Sequence, residues 1–207
     1  MQVYDAVIIG SGATGGWAAK QLTEPGLEVA MLEAGSKTTP DQFGEHIQPY
    51  EMKYRDTRSN GYASPEIARS RPIQGRQYSC AEPNHRWFAN DVENPYTTPK
   101  DMPFTWVRVR AVGGRSLAWG RQSYRMSDLD FKAASHDGYG QNWPINYAEL
   151  APYYSQVERY VGISGQKEGI PHFPDGEFQP PMPYTCGDKR LKSSAAAWLR
   201  DQVMPRK

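Results

Sequence analysis

Little in this sequence invites chemistry from its own thiols, histidines or net charge. Two cysteines, Cys80 and Cys186, stand far apart, and nothing in their spacing suggests a metal site or a Cys-x-x-Cys redox pair. Two unpaired thiols are therefore expected, and no metal site. The formal charge is +1, from 24 basic and 23 acidic residues, which argues against a nucleic-acid or other polyanion surface as the main business of the protein. No apolar run approaches the ~20 residues of a membrane span. The first strand-like run begins within a few residues of Met1, leaving no room for a charged leader, an apolar segment and a cleavage site. A cytoplasmic product is the expectation, periplasmic only if a partner carries it out.

What is abundant is punctuation. The 207 residues include 17 prolines and 19 glycines, and the mean hydropathy is strongly negative. Tyrosine and tryptophan are nonetheless spread throughout, so the chain reads as loop-rich and folded, not disordered. Its length suffices for one good-sized domain or two small ones.

The stretch Asp5-Ala-Val-Ile-Ile-Gly10-Ser-Gly12-Ala-Thr-Gly15-Gly16 is an apolar run that breaks into glycines and opens into a small-residue helix. Val7, Ile8 and Ile9 read as a parallel strand buried on both faces. Gly10 allows the tight turn, Gly12 admits a pyrophosphate to the backbone, and Gly15 lets the helix pack close to the sheet. A phosphate then sits on the helix N-terminus. The helix spans Ala13 to Leu22 and stops at Glu24-Pro25-Gly26. A second strand, Leu27 to Leu32, ends in Glu33, at about the 20-residue distance of a carboxylate that accepts a ribose hydroxyl. Ala34-Gly35 leaves room for an adenosine against the backbone.

From Ser36 to about Thr105 there is little periodicity, and eight prolines interrupt it; an irregular insertion of this length is usually a lid or a binding segment. Arginines 55, 58, 69, 71, 76 and 86 alternate there with Tyr54, Tyr62, Tyr78 and Trp87, which we read as solvated arginines whose stems cover aromatic edges. Trp106 to Val112 alternates like a strand and runs into Gly113-Gly114-Arg115-Ser116-Leu117-Ala118-Trp119-Gly120. Adjacent glycines let a flat ring or a phosphate approach the backbone, and Ser116 can donate to a carbonyl or phosphate oxygen. Further on, Asn146 and Glu149 form a capping pair, Pro152 suits the first turn of a following helix, and Tyr154, Val157 and Val161 are its apolar stripe with Gly162 as the stop. Gly165 to Pro183 is a Pro-rich connector. Leu191 to Val203 is a last helix, interrupted at Met204-Pro205-Arg206-Lys207.

Gly10-x-Gly12-x-x-Gly15, Leu32-Glu33-Ala34-Gly35 and Arg108-Val-Arg110-Ala-Val112-Gly113-Gly114-x-Ser116 together resemble the glucose-methanol-choline (GMC) family of FAD-dependent oxidoreductases. Asn142-Trp143-Pro144 through Pro152-Tyr153-Tyr154 is similar to the branch that holds gluconate dehydrogenase large subunits, glucoside 3-dehydrogenases and pyranose 2-oxidases. The resemblance implies an α/β fold: a Rossmann-like FAD-binding βαβ unit with a long loop-rich insertion and the start of a second, substrate domain, incomplete. It divides the chain into 1–35 and 106–130 as FAD-binding segments, 36–105 as insertion or lid, and 131–207 as a helical and loop segment leading to the substrate domain. It implies FAD contacts at Gly10, Ser11, Gly12, Ala13, Thr14, Gly15, Glu33, Ala34, Arg110, Val112, Gly113, Gly114, Ser116 and Gly120. In pyranose oxidases a histidine in a Ser-Thr-His-Trp tetrad joins covalently to the flavin. Here Ser116-Leu117-Ala118-Trp119 offers alanine at that position, so FAD should be held non-covalently.

The family's activity is oxidation of a sugar or other alcohol hydroxyl by hydride transfer to FAD, with a histidine base near the C-terminus of the longer family members. None of His46, His85, His136 and His172 stands in a matching context, so no catalytic residue is expected in this chain, which reads as an N-terminal fragment inactive alone. Implied partners are a small alcohol or sugar and an electron-acceptor subunit, a cytochrome or a small subunit. An NAD-dependent Rossmann dehydrogenase remains open on the first glycine motif, though such folds do not need the second. A non-catalytic truncated product or assembly subunit remains open too.

Overall fold

The apolar run and its glycine break become a strand, a turn and a helix. In a computed structural model, which describes residues 2–43, 47–55 and 64–203, the chain divides into two units, Met1–Arg121 and Gln122–Lys207. His46, Arg58, Tyr62 and the Met204 to Lys207 end lie outside the described residues.

In the first unit β1 (Ala6–Ile9) pairs in parallel with β2 (Val29–Leu32), Ala6 opposite Val29 and Ile9 opposite Leu32, and α1 (Ala13–Thr23) connects them. The α/β unit expected from the pattern is thus present. The helix ends in a turn that carries the chain back: the Gly26 N–H donates to the Thr23 carbonyl at 2.9 Å and the Leu27 N–H to that of Leu22 at 3.2 Å, with Gly26 at φ +101°. That turn consumes Leu27, so β2 begins two residues later than its apolar run. Burial differs from expectation. Ala6 and Ile8 are partly covered, but Val7 is 59% and Ile9 86% exposed. Among the described residues the sheet has these two strands only, which leaves Val7 and Ile9 without a covering strand or helix.

The dense packing lies elsewhere, in the stretch with the least periodicity. Ile67 on α2 (Pro65–Ser70), Cys80, Trp87, Phe88, Ala89 and Ala111 are all buried, and a side chain such as Phe88 or Ile67 contributes about 1.5–3 kcal/mol by leaving water. Gln74, fully buried, binds the loops around it. Its amide donates to Asp91 Oδ1 and to the Trp106 carbonyl, both at 2.9 Å, and its Oε1 accepts from the Arg108 N–H at 2.8 Å. Every polar atom of that amide is therefore satisfied, the condition for burying it at all.

The same bond explains why Trp106 to Val112 is not a regular strand. Its backbone changes partner at each step: the Arg108 N–H goes to Gln74, the Arg110 N–H to the Trp87 carbonyl at 2.7 Å, and the Val112 N–H to the Ser36 carbonyl at 2.9 Å. Only single bridges result, Val109 to Phe88 and Ala111 to Ser36. Of the arginines, 55, 69, 76 and 86 are exposed as expected, while Arg71 turns inward and donates to the Phe88 carbonyl at 3.0 Å. Both thiols are free; burial pushes that of Cys80 up to about 12.

The second unit contains α3 (Asp128–Phe131), α4 (Ala133–Asp137), α5 (Tyr147–Val161) and α6 (Cys186–Val203). Asn146 and Glu149 cap α5 reciprocally, at 3.1 and 2.8 Å, and Gly162 ends it at φ +80°. Pro152 lies inside this one helix and does not start another. The cap already nucleates the helix at Tyr147, whose N–H also donates to Asp128 Oδ1 at 2.8 Å, so Pro152 merely omits one internal hydrogen bond. The stripe is also different: Tyr154 and Val157 are partly covered, Val161 is 59% exposed, and the buried residue of α5 is Glu158. α6 starts ahead of its apolar pattern because Thr185 and Asp188 bond reciprocally, at 2.9 and 3.2 Å.

Glu158 is paired with buried Arg125. Arg125 Nε donates to Glu158 Oε1 at 2.8 Å and a terminal nitrogen to Oε2 at 2.6 Å. The remaining guanidinium donors reach the Tyr147 hydroxyl at 2.9 Å and Ser155 Oγ at 3.0 Å. Burial pushes the Glu158 carboxyl up, but the guanidinium and the Glu177 N–H outweigh it and hold the group below the usual carboxylate range. Gly176 makes the approach possible, since a Cβ there would stand 2.7 Å from a Glu158 oxygen. Removing one member of a buried pair strands the other, at a cost of about 3–5 kcal/mol. Arg125→Met should destabilise this unit by about that amount in urea unfolding, with Arg125→Met/Glu158→Leu recovering much of the loss.

Candidate functional site

The two glycine turns meet, and a serine joins them. Gly10 leaves β1 at φ +93°, donating its N–H to the Leu32 carbonyl at 2.7 Å, so the first turn is hung from the end of β2. Gly15 lies against it: a Cβ would stand 1.9 Å from the Gly10 carbonyl oxygen and 3.4 Å from the Ile8 side chain, which only glycine permits. Gly12 is the N-cap of α1 and brings no capping side chain; no acid occupies the first turn, and Ala13 and Thr14 are exposed. The start of this 11-residue helix is therefore exposed and carries no capping side chain of its own.

Glu33 stands at the end of β2 beside this turn. Its Oε2 accepts the Ser11 N–H at 2.8 Å and the Ser11 hydroxyl at 2.6 Å, and its Oε1 accepts the Gly35 N–H at 2.6 Å. These bonds, led by the serine hydroxyl, hold the carboxyl at about 2 against its ordinary 4.5, so it is ionised at neutral pH. Ser11 Oγ in turn accepts the Gly113 N–H at 3.0 Å. The second turn, with Gly113 at φ +94° and Gly114 at φ +54°, lies so near the first that a Cβ on Gly114 would stand 3.3 Å from Gly12 Cα.

Ser11, Gly12, Glu33, Gly113 and Gly114 are therefore one cluster, with Gly10 and Gly15 behind it. Ala34, Arg110, Val112 and Gly120 are exposed around it in sequence. Ser116 Oγ donates at 2.6 Å to the Gly113 carbonyl, within its own turn. One reading differs from expectation. The room expected beside Gly35 is filled by the chain itself, since a Cβ there would stand 2.2 Å from the Ala111 nitrogen. Gly35 is needed for that crossing, and Ser11 for the joint between turns; neither role shows in the local sequence, because both depend on partners tens of residues away.

The described histidines are engaged elsewhere. His85 Nδ1 lies 2.8 Å from the Glu82 carbonyl and Nε2 3.3 Å from Glu66, in a 3₁₀ turn; His136, in α4, lies 2.9 Å from Asp137; and the His172 ring lies 5.7 Å from that of Phe173. Among the described residues no group of three or more His, Cys, Asp or Glu is placed to hold a metal, and no helix is long and apolar enough to cross a membrane.

Comparison with known proteins agrees with the motifs. The chain is 28% identical over 200 residues to paromamine 6'-oxidase of Streptomyces fradiae, covering 95% of this chain and 29% of that protein. It is 29% identical over 192 residues to the fructose dehydrogenase large subunit of Gluconobacter japonicus, covering 89% of this chain and 32% of that one. It is 27% identical over 179 residues to the gluconate 2-dehydrogenase flavoprotein of Pantoea cypripedii, covering 80% and 26%. The chain thus spans about a third or less of the curated relatives it matches. Among solved structures it matches pyridoxine 4-oxidase from Mesorbium loti at 26% identity, with a TM-score of 0.38, over 74% of this chain and 24% of that one. No family model matches. What these relatives share is a class, the GMC oxidoreductases that act on alcohol groups, and it is this class that the chain resembles.

Because the folded Glu33 carboxyl is depressed, its stabilising bonds are complete above its ordinary 4.5 and are lost as pH falls from there towards 2. The difference in unfolding free energy between the wild-type chain and Glu33→Gln should be constant from pH 8 down to about 5 and shrink below it. Urea titrations across that range measure it, and a difference independent of pH would show that Glu33 carries no such bonds.

Proposed function

We propose that the chain is the N-terminal FAD-binding portion of a GMC-type oxidoreductase that oxidises a sugar or other alcohol hydroxyl. The observation that carries this is the joint between the turns: Glu33 and the Gly113–Gly114 turn are bound to one serine in the middle of the first glycine motif. A nicotinamide site requires the first of these and has no need of the second.

The residues fit a dinucleotide. Gly10, Gly12 and Gly15 with the exposed start of α1 would hold a pyrophosphate. Glu33 accepts the Gly35 N–H on Oε1, and a carboxylate, with about four lone-pair sites, has room for a ribose hydroxyl as well. The Gly113–Gly114 turn would border the flavin. FAD, when bound, supplies a two-electron acceptor suited to the oxidation of an alcohol carbon. Ala118 offers no nucleophile, so retention is non-covalent. Segment 1–35 and the turn at Gly113–Gly114 serve this site, with 36–105 as insertion and 131–207 as the segment leading towards a substrate domain. The remaining two thirds of the relatives' length corresponds to the region that would supply the base and complete the substrate pocket, so the 207-residue chain should oxidise no alcohol alone. The fructose dehydrogenase relative is a large subunit, which supports a separate electron-accepting subunit as partner.

Titration of the chain with FAD and with NAD tests the reading. FAD should bind clearly more tightly. Glu33→Gln should weaken it about 10- to 150-fold, the equivalent of a charge-assisted bond of about 1.5–3 kcal/mol. Gly114→Val should abolish binding, because it places a branched side chain at positive φ and against Gly12. Tighter binding of NAD, or FAD retained by Gly114→Val, overturns the assignment.

A further inference from the structure

We infer that Ser11 is a positioning residue, whose hydroxyl sets the second glycine turn against the first and thereby fixes the width of the dinucleotide cleft. The inference rests on the dinucleotide reading above. A serine hydroxyl has one hydrogen to give and two lone pairs to offer. Here the hydrogen goes to Glu33 Oε2 at 2.6 Å and a lone pair receives the Gly113 N–H at 3.0 Å. The direction is determined by the partners, because an ionised carboxylate only accepts and an amide N–H only donates. Donation to an anion polarises the oxygen and strengthens its acceptance from Gly113, so the two bonds support each other.

The start of the second turn is anchored by the Val112 N–H bond to the Ser36 carbonyl at 2.9 Å, and side-chain bulk does not space the turns. Both Gly113 and Gly114 lie at positive φ, at +94° and +54°, and the space for a Cβ on Gly114 ends 3.3 Å away at Gly12 Cα, so no side chain of either glycine acts as a spacer. Gly113 is otherwise bonded within its own turn: its carbonyl accepts from Ser116 Oγ at 2.6 Å and from the Ser116 N–H at 3.2 Å. The bond to Ser11 adds a tie from that turn to the turn after β1, across 102 positions.

Alanine at position 11 removes both side-chain bonds and keeps the backbone N–H to Glu33. Threonine keeps the hydroxyl. In the 207-residue chain without cofactor, Ser11→Ala should speed hydrogen exchange of the Gly113 amide about tenfold while α1 stays protected, and Ser11→Thr should stay within about threefold of wild type. FAD affinity should follow the same order, about tenfold weaker in Ser11→Ala and near wild type in Ser11→Thr. Unchanged Gly113 exchange, or unchanged FAD affinity in Ser11→Ala, overturns the inference; so does loss of protection throughout α1, which would make Ser11 a general structural residue. A wild-type chain that binds no FAD while Gly113 still responds to Ser11→Ala would instead remove the dinucleotide reading and leave the tie between the turns standing.

Discussion

A carboxylate kept ionised by hydrogen-bond donors is the constraint on which the candidate site depends. Glu33 takes two donors from Ser11 and one from Gly35, and the serine takes Gly113 in turn. Through these few bonds the end of β2, the turn after β1 and a turn a hundred positions further along share one arrangement. The glycines serve it by absence: Gly15 lets α1 come down on the Gly10 carbonyl, Gly35 lets the Arg110–Ala111 backbone cross, and Gly12 and Gly114 let two main chains meet.

The second unit keeps its buried carboxylate by the opposite means. Glu158 has a guanidinium forked onto it, and that guanidinium spends its other donors on Tyr147 and Ser155. Arg125 holds α5 to the segment that precedes α3, and Glu158 holds the Glu177 N–H of the connector. A charge-paired centre of this kind is costly to break and inert in chemistry, as suits a scaffold. A carboxylate supported only by neutral donors keeps a lone pair for something else.

Legibility followed the range of the interactions. β1, α1 and β2 could be read from Ala6 to Glu33 because strand, turn and helix there are decided by neighbours, as was the Asn146 and Glu149 cap. The burial of Val7 and Ile9 could not, since an apolar run shows that a strand seeks cover but not whether cover is within reach. Pro152 reads locally as a helix start, but a cap six residues earlier, at Asn146, has already begun the helix. The buried core around Phe88 was invisible because it has no period; it is assembled by side chains such as Gln74 and Asp91 that satisfy loop backbone atom by atom. In the candidate site the participating glycines were legible, whereas the function of Ser11 was not, because its partners lie 22 and 102 positions away.

Those separations order events during folding. Closing a loop costs entropy that grows with the logarithm of its length, so joining Ser11 to Gly113 costs about 1.4 kcal/mol more than joining Ser11 to Glu33. On closure entropy alone, the parallel strand–helix–strand unit is favoured to close before the second glycine turn docks on it. The same arithmetic makes the second turn the more expendable closure: opening it returns the entropy of the longer loop while the bonds within the βαβ unit are untouched.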